Sequence, residues 1–408
     1  MPTIRLASLI AALVPLLARF VTPAWASDPP FHELWRQGGD GAFEDWNLVG
    51  VRVDGGRLVL DPPDAPVREA GARAAPAAIR SANAGPIARS GTALGPEHET
   101  AEPFGELIPS WNAETPDGTW IEVRLRARIG GRWTGWYVLG VWSSGGGELR
   151  RSVDGQDDAD ARVPTDTLAL QAPAEAYQLE LGLFSNDPRR GPSVSLAAVL
   201  ASRRSAVARP DPGEPRALGV ALAVPERSQM VYAGGGEAWC SPTSTSMVLA
   251  YWAGRLGAPG LDHPPPEVAA GTYDLTYHGH GNWPFSTAYA AQGDLLGYVS
   301  RFSSLGQVER WVAAGVPVVV SVAWGPGDLP GAPVGSTDGH LLVVVGFTEA
   351  GDVVVNDPAS DPRLGQAVRR VYSRGRFESL WLTSSGGTVY LIHPAGQAPA
   401  AEGAFGAW

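Results

Sequence analysis

The chain of 408 residues contains a single cysteine, Cys240, so no internal disulfide can constrain its fold. The cysteine lies in the segment 237–252, where Ser, Pro and Thr follow the thiol and an apolar run comes next. Pro242 suits the first turn of a helix, and Ser and Thr cap free amides there. The pattern predicts a helix that begins at Cys240 and ends near Gly254.

This position bears on the chemistry of the thiol. Free N–H groups and the positive end of the helix dipole both favour a thiolate, so the pKa of Cys240 should fall. That is the placement of a cysteine nucleophile. Free cysteines also occur as small buried hydrophobic residues, and the position alone leaves both interpretations open.

The N-terminal residues 1–26 are typical of a secretory signal peptide. Arg5 precedes an apolar run over residues 6–18, and Ala24-Trp25-Ala26 fits a signal peptidase site. The apolar run is too short to span a bilayer comfortably, and no other stretch approaches the roughly 18 apolar residues of a membrane helix. We therefore expect cleavage after Ala26 and an exported, soluble protein.

The charge balance limits the partners of the protein. Its formal net charge is −11, and all 31 basic residues are arginine. The lack of lysine excludes a P-loop lysine, a Schiff-base lysine and a Ser-Lys catalytic pair. An acidic chain without a long basic run is not expected to bind nucleic acid or an anionic membrane as its main partner. No cofactor is predicted.

Residues 28–202 carry the pattern of β-strands. Residues 120–129 alternate apolar and polar side chains, which predicts a strand with one buried face and one solvated face. Arg57–Leu60 is predicted to form a hairpin with the preceding strand, and residues 71–96 a long loop. Short strands without an amphipathic helix predict an all-β, jelly-roll-like sandwich domain.

Two features of this domain suit a ligand. Trp133, Trp136 and Trp142 could form a sugar-stacking platform, although a place in the core is favoured because Trp133 shares a face with apolar neighbours. The carboxylates of residues 154–160 could bind calcium, although an acidic loop is more commonly only solvated. A carbohydrate or cell-wall ligand is therefore kept as an alternative.

A second domain is expected over residues 222–394, after a linker at 203–221 and before a C-terminal tail at 395–408. A helix is predicted over residues 305–314. The long helix at Cys240, followed by mostly antiparallel strands, predicts an α+β arrangement. The predicted strands are residues 316–323, 340–347, 353–357 and 388–392.

A thiol nucleophile needs a base, and the base needs an orienting partner. Among the seven histidines, His340 is the candidate base because it begins an apolar strand from whose end its ring can project. If the following turn has an even number of residues, His340 and Asp357 share one face of the hairpin and Asn356 points away. An odd number reverses this, so Asp357 is favoured and Asn356 is the reserve.

The oxyanion of a tetrahedral intermediate needs hydrogen-bond donors. The backbone N–H of Cys240 is one candidate, and Gln229, upstream across a glycine loop, is the second. Trp239 and Trp283 are the candidate substrate-binding residues.

His278 and His280 form a further candidate site. They could bind a metal, but no third ligand stands at a recognisable spacing, so no metal site is predicted. A loop that lines the cleft is favoured instead, with Trp283 covering the substrate. No role is assigned to His32, His98, His263 and His393.

Four short motifs carry a family resemblance. They are Ser228-Gln229, Trp239-Cys240-Ser241-Pro242-Thr243-Ser244, Gly339-His340-Leu341 and Asn356-Asp357-Pro358. In this order they resemble the C39-like (double-glycine peptidase related) cysteine peptidases, a branch of the papain-like fold. The resemblance covers about residues 222–393.

The resemblance implies a role for each motif. Cys240 would be the nucleophile, His340 the general base and acid, Asp357 the orienting residue and Gln229 the oxyanion donor. The eleven residues from Gln229 to Cys240 exceed the usual papain-like spacing. The best-known family members are fused to ABC exporters and cut leader peptides, and that substrate is not carried over.

Three functions follow as hypotheses. The leading one is a secreted thiol hydrolase that cleaves a peptide or amide through an acyl-enzyme. The second keeps the nucleophile but transfers the acyl group to an amine. The third is a cell-surface binding protein whose papain-like domain is an inactive scaffold.

Overall fold

A computed structural model describes residues 30–63, 86–145, 149–205, 209–233 and 235–400. The predicted signal peptide lies outside the described residues, and so does the predicted loop up to residue 85. Within the described residues, none of the helices is long and apolar enough to cross a membrane.

The N-terminal domain is rich in β-structure, as predicted. Its strands pair antiparallel in a single hydrogen-bonded network with the path β2-β5-β11-β6-β12-β4-β3, onto which the others join. The two-sheet, jelly-roll-like form stays a prediction. The strands are β1 (Phe31–Gly38), β2 (Asn47–Val49), β3 (Val51–Asp54), β4 (Arg57–Leu60), β5 (Arg89–Leu94), β6 (His98–Glu114), β7 (Thr119–Ile129), β8 (Arg132–Trp133), β9 (Tyr137–Trp142), β10 (Ala161–Arg162), β11 (Leu168–Ser185) and β12 (Ser193–Arg203).

The predicted hairpin forms between β3 and β4. Asp54 pairs with Arg57, which leaves Gly55 and Gly56 as the two turn residues. Both glycines have positive φ values, of 55° and 71°. A two-residue turn of this kind follows the right-handed twist of the flanking strands and favours glycine for that reason.

Strand β7 is found where the alternation predicts it, but its expected solvated face is wrong. Glu122 and Arg124 are buried, with exposed fractions of 2% and 4%. Arg124 forms ion pairs with Glu122 and with Glu180 on β11, so the charges are buried as partners. Trp120 belongs to a small apolar cluster on this part of the domain. The alternation therefore identified the strand but did not indicate that its charged face is buried.

The C-terminal domain combines helices with a six-stranded antiparallel sheet, which confirms the mixed arrangement. The strand order is β13-β18-β14-β15-β16-β17. The helices are α1 (Cys240–Leu256), α2 (Pro265–Thr272), α3 (Trp283–Ala290), α4 (Leu305–Ala313) and α5 (Arg374–Ser385). The strands are β13 (Leu295–Arg301), β14 (Val318–Trp324), β15 (Thr337–Phe347), β16 (Val353–Asn356), β17 (Arg369–Tyr372) and β18 (Thr388–Pro394).

Several of these elements are absent from the sequence prediction. The interpretation as one long helix followed by strands missed α2, α3 and α5. Helix α5 has the sequence RGRFESLWLTSS, in which glycine, serine and threonine dilute the apolar stripe. It is fixed instead by tertiary burial of Phe377, Trp381 and Leu382.

Helix α1 begins at Cys240, as predicted, but it does not end at Gly254. It continues to Leu256, and Gly257 closes it in the left-handed conformation with φ 64°. The N–H of Gly257 donates to the carbonyl of Ala253. A glycine is favoured at this position because a side chain strains left-handed backbone, whereas Gly254 lies one turn too early.

The described part of the predicted linker packs against the C-terminal domain. Asp211 forms an ion pair with Arg310 of α4, and the buried Ala217 belongs to the core of that domain. Ala221 bridges to Gly346 on β15. Residues 209–221 therefore extend the C-terminal domain.

Candidate active site

The candidate nucleophile lies where helix α1 meets the sheet. Cys240 is the first residue of α1 and is half-buried. Helix α1 packs on β15, where the Ser244 hydroxyl donates to the carbonyl of Leu341 at 3.0 Å. Ser244 lies about one helical turn after Cys240, and His340 comes directly before Leu341. The contact therefore places the thiol next to the imidazole.

Cys240 and Asp357 both lie beside His340. His340 Nε2 lies 2.8 Å from Asp357 Oδ1, and the Cys240 thiol is near enough to the His340 ring for each group to shift the pKa of the other. Because Nε2 is used by the carboxylate, Nδ1 is the ring nitrogen left for the thiol. The exposed fraction is 4% for His340 and 0% for Asp357.

The electrostatics of the pair favour charge separation. Burial of Cys240 raises the pKa of the thiol, but the hydrogen bond and positive charge of His340 outweigh it, and the backbone N–H groups of Leu341 and Ser241 assist. The net effect lowers the pKa of Cys240. Burial lowers the pKa of His340, whereas Asp357 and Cys240 raise it to about 10. A thiolate beside an imidazolium is the state that this arrangement favours.

The carboxylate of Asp357 is itself held by further donors. Its Oδ1 also accepts from the Ala359 N–H at 3.0 Å, and its Oδ2 accepts from the Tyr372 hydroxyl at 2.8 Å. Trp324 packs edge-on against the His340 ring at 5.4 Å between centroids. Tyr372 and Trp324 were not predicted, because nothing in their local sequence indicates contact with a residue far along the chain.

The turn between β15 and β16 differs from the even-numbered turn that favoured Asp357. Phe347 pairs with Val353, which leaves five residues, 348–352, between the strands. With this odd number, Asn356 rather than Asp357 would share the face of His340.

A bulge reverses that outcome. The register shifts between the pairs Val344–Val355 and Gly346–Val354, so one extra residue enters β15. Beyond the shift, Val343 pairs with Asn356. Asp357 then lies on the face of His340, diagonally across the hairpin.

The Asn356 side chain points to the opposite side, where it makes hydrogen bonds with other segments of the domain. Its side-chain amide donates to the Val224 carbonyl at 3.1 Å, and its Oδ1 accepts from Arg369 Nε at 3.1 Å. These contacts fix the chain that enters the C-terminal domain. The reserve orienting residue is therefore not near the imidazole.

Gln229 lies beside the nucleophile despite its distance along the chain. It begins a 3-10 turn, Gln229–Val231, and a second one, Gly236–Ala238, directs the chain back. Gln229 Nε2 donates to the Glu237 carbonyl at 2.6 Å, three residues before Cys240. A Cβ at Gly236 would come within 2.3 Å of the Gln229 carbonyl oxygen, so the fold-back requires a glycine there. This glycine loop accounts for the long spacing.

A cleft of about 940 Å³ surrounds these residues. Gln229, Cys240 and His340 line it, together with the segment 277–281 and Trp283. The predicted cleft-lining segment is therefore present, although Trp283 begins helix α3 and does not lie in a loop.

Trp239 has a different position from the one expected of a substrate-binding residue. It is not among the described residues that line the cleft, and it packs against Tyr232 and the ring of His280. Burial, with a contribution from Arg150, lowers the pKa of His280 to about 4. Trp239 thus packs against His280, which lines the cleft, and does not line the cleft itself.

The aromatic platform of the N-terminal domain is not available as predicted. Trp142 is 1% exposed and lies in the domain core. The Arg126 guanidinium lies over both Trp133 and Trp136, at 4.4 Å and 4.8 Å from the ring centroids. These faces are stacked on an internal cation and not free for a sugar.

Two carboxylates of the acidic loop likewise interact with side chains of the same domain. Asp158 accepts from the Tyr137 hydroxyl, and Asp160 forms an ion pair with Arg132. In the part of the chain that the structure describes, no group of three His, Cys, Asp or Glu side chains is arranged to hold a metal ion.

Comparisons with known families match both parts of the chain. Residues 221–389 match the Peptidase_C39 like family, and residues 33–202 match the Peptidase C39 N-terminal domain. The chain belongs to the C39-like peptidases, which confirms the resemblance carried by the motifs and supports a papain-like fold for the C-terminal domain. No curated protein matches the chain.

Proposed function

We propose that the protein is a cysteine peptidase that cleaves peptide bonds through an acyl-enzyme on Cys240. The observation that carries the proposal is the position of Cys240 at the start of α1 beside His340, whose ring is hydrogen-bonded to Asp357. Family membership suggests cysteine peptidase activity, and a peptidase implies a peptide substrate.

The first half of the reaction forms the acyl-enzyme. The Cys240 thiolate attacks the carbonyl carbon of the scissile bond, and the carbonyl oxygen becomes an oxyanion. The His340 imidazolium then donates its proton to the leaving amine as the C–N bond breaks. Asp357 accepts from the other ring nitrogen, so it keeps the ring oriented and stabilises its positive charge.

The second half regenerates the thiolate. Neutral His340 takes a proton from a water molecule, whose oxygen attacks the thioester carbonyl. The tetrahedral intermediate collapses and the C–S bond breaks, which restores the Cys240 thiolate beside the His340 imidazolium. The carboxylic acid product leaves and becomes a carboxylate by releasing its proton to water. An amine in place of water would give the transferase that was considered above, and no contact favours it.

Two donors support the oxyanion in both halves. The N–H of Cys240 occupies the first position of α1, where no intrahelical acceptor exists. Gln229 Nε2 uses one hydrogen for Glu237, which leaves its second hydrogen for the oxyanion. Gln229 has an exposed fraction of only 2%, so its amide is held in place before substrate binds.

Export is part of the proposal and rests on the sequence of residues 1–26 alone. The all-β, jelly-roll-like sandwich is likewise proposed for the N-terminal domain. A carbohydrate ligand is not retained, because Trp142 is buried in the domain core and Arg126 lies over the rings of Trp133 and Trp136.

The test is covalent labelling with an electrophilic peptide probe, followed by mapping of the modified residue. We expect labelling at Cys240 in the wild-type protein and no turnover of peptides by Cys240→Ala. Labelling elsewhere, or wild-type turnover by a folded Cys240→Ala protein, would refute the proposal.

A further inference from the structure

Helix α3 belongs to the C-terminal domain by sequence but is held by the N-terminal domain. Phe285 lies in the core of the N-terminal domain, where its ring packs against Trp111 and Trp142 at 6.1 Å and 5.4 Å between centroids. Gly140 leaves room for it, because a Cβ there would come within 3.1 Å of Phe285 and of Trp111. The helix is therefore shared by the two domains.

Asp166 of the N-terminal domain contacts the start of this helix. Its Oδ2 accepts from the backbone N–H of Trp283, the first residue of α3, at 2.8 Å. Its Oδ1 accepts from the hydroxyl of Thr167 at 3.1 Å. A carboxylate is well suited to the positive end of a helix and satisfies an N–H that has no partner within the helix.

The loop that carries Asp166 is held in an uncommon conformation. Thr165 has φ 62°, in the left-handed region that a β-branched residue rarely adopts. Asp166 is 7% exposed, and burial raises the pKa of its carboxyl to about 6 even though the Trp283 N–H opposes that shift. Strained backbone and a buried carboxylate both cost stability, and such costs concentrate at functional sites.

The same helix contacts the residue next to the nucleophile. The hydroxyls of Ser286, on α3, and Ser241 lie 2.8 Å apart, and Ser241 directly follows Cys240. The backbone N–H of Ser241 is one of the donors that lower the pKa of Cys240. Hydrogen bonds and helix α3 thus connect Asp166 with Ser241, the residue next to the nucleophile.

A second contact from the N-terminal domain reaches the same point. The buried carboxylate of Asp274 accepts from the backbone N–H of Ser152 at 2.9 Å and from the Asn282 amide at 2.9 Å. Asn282 caps α3 by accepting from the N–H of Phe285. The N-terminal domain therefore holds the start of α3 directly through Asp166 and indirectly through the contact of Ser152 with Asp274.

Both walls of the cleft meet at this helix start. Residues 164–167 of the N-terminal domain line the cleft that also contains Cys240, and Trp283 lines it beside them. We infer that Asp166 is a positioning residue for the peptidase reaction, which holds Trp283 and the start of α3 as the substrate-binding wall. This inference rests on the proposed function and makes the N-terminal domain a part of the active site.

The test separates binding in the cleft from the reactivity of the thiol. The full chain is labelled with a peptidyl chloromethyl ketone, which needs the cleft, and with iodoacetamide, which does not. The measured quantity is the ratio of the two second-order rate constants. This ratio can be measured even if no hydrolysable peptide is found. Failure of the proposed function and failure of this inference therefore give different results.

We expect Asp166→Asn to lower this ratio roughly tenfold, as loss of one charge-assisted hydrogen bond implies, with iodoacetamide labelling at the wild-type rate. In the matched control Asp154→Asn, which alters an exposed carboxylate of the same domain, the ratio should stay unchanged. A ratio within twofold of wild type in Asp166→Asn would overturn the inference. So would an equal loss of both labelling rates, which indicates a purely structural role.

A milder variant keeps the test decisive if Asp166→Asn does not fold. Thr167→Val preserves the shape of the side chain but removes the hydroxyl that donates to Asp166. We expect the ratio to fall about two- to fivefold, the effect of one neutral hydrogen bond. An unchanged ratio in this variant would also overturn the inference.

Discussion

His340 and Asp357 lie diagonally across the β15–β16 hairpin, and their side chains meet with Nε2 and Oδ1 2.8 Å apart. Neither residue is accessible to bulk water to any great extent, so the interaction is poorly screened. The hydrogen bond therefore fixes the orientation of the imidazole and stabilises its positive charge. Several expected outcomes rest on this contact.

The thiol of Cys240 should react at a pH where an ordinary cysteine does not. His340 lowers the pKa of the thiol, so the thiolate persists as the pH falls below the usual range near 8.5. We expect fast labelling by iodoacetamide at pH 6. In His340→Gln, the cation is lost while burial of the sulfur remains, so the pKa should rise above its ordinary value.

The measurement is the labelling rate of both proteins between pH 5 and pH 10. For His340→Gln the rate at pH 6 should be about 10²-fold lower and should recover as the pH rises. For the wild type, labelling should decline only where protonation of the thiolate begins. The peptidase rate should also fall toward pH 10, where His340 loses its proton. Equal labelling of the two proteins at pH 6 would contradict the ion pair.

Removing the charge of Asp357 should impair turnover. Asp357→Asn keeps the size of the side chain, but a neutral amide stabilises the imidazolium less, so the pKa of His340 should fall. We expect kcat/KM to decrease about 10²- to 10⁴-fold, the range for loss of an orienting carboxylate. Steady-state kinetics on a labelled peptide measure it, and thermal unfolding checks that the variant is folded.

Tyr372→Phe is a smaller change that affects the same carboxylate. It removes one of the donors to Asp357 and leaves the charge in place. A decrease in kcat/KM of about fivefold is expected, in line with roughly 1 kcal/mol for a hydrogen bond. A decrease as large as that of Asp357→Asn would show that geometry and not charge is decisive.

Gln229 should matter for kcat more than for KM. Its amide is placed for the oxyanion, which exists only after attack, so the ground-state complex gains little from it. We expect Gln229→Ala to lower kcat about 10²- to 10³-fold with KM changed less than threefold. Comparable losses in both constants would point to disruption of the loop that Gln229 anchors through Glu237. Stopped assays at saturating and subsaturating peptide distinguish the two results.

Phe285 should contribute to the stability of both domains. Its side chain is fully buried between Trp111 and Trp142. Phe285→Ala should lower the free energy of unfolding by about 3–5 kcal/mol, as removal of a buried phenylalanine does. Urea denaturation measures the change. The matched control is Leu364→Ala, at a position 74% exposed, where a change below about 0.5 kcal/mol is expected.

An effect of Phe285→Ala below about 1 kcal/mol would contradict the shared core. If the two domains unfold as one unit, the wild type should also show a single urea transition when followed by circular dichroism and by tryptophan fluorescence. Two separate transitions would mean that α3 does not couple the domains.

Much of the C-terminal domain follows from local patterns. The apolar runs predict the strands that carry His340 and precede Asp357, and the polar start followed by an apolar run predicts a helix at Cys240. The end of that helix was wrong by two residues, because the choice between Gly254 and Gly257 depends on which one leaves the helical conformation. Such a choice has no local signal.

Other features depend on contacts between distant segments. Asp357 shares the face of His340 only because a bulge in β15 offsets the odd turn, and Gly346 at the bulge is its one local signal, which was not interpreted as such. The burial of Glu122 on β7 depends on what covers that strand. In both cases periodicity gives the direction of a side chain but not its neighbours.

The sequence by itself determined the type of the elements that carry Cys240 and His340, the order of the candidate residues and the family to which the motifs belong. These are properties of short segments, in which periodicity, capping residues and glycine leave a direct signal. The tertiary structure decided that Gln229 folds back to Cys240, that Tyr372 supports Asp357 and that Asp166 reaches Trp283. Each of these contacts joins residues on different elements, and long-range packing, not local preference, brings them together.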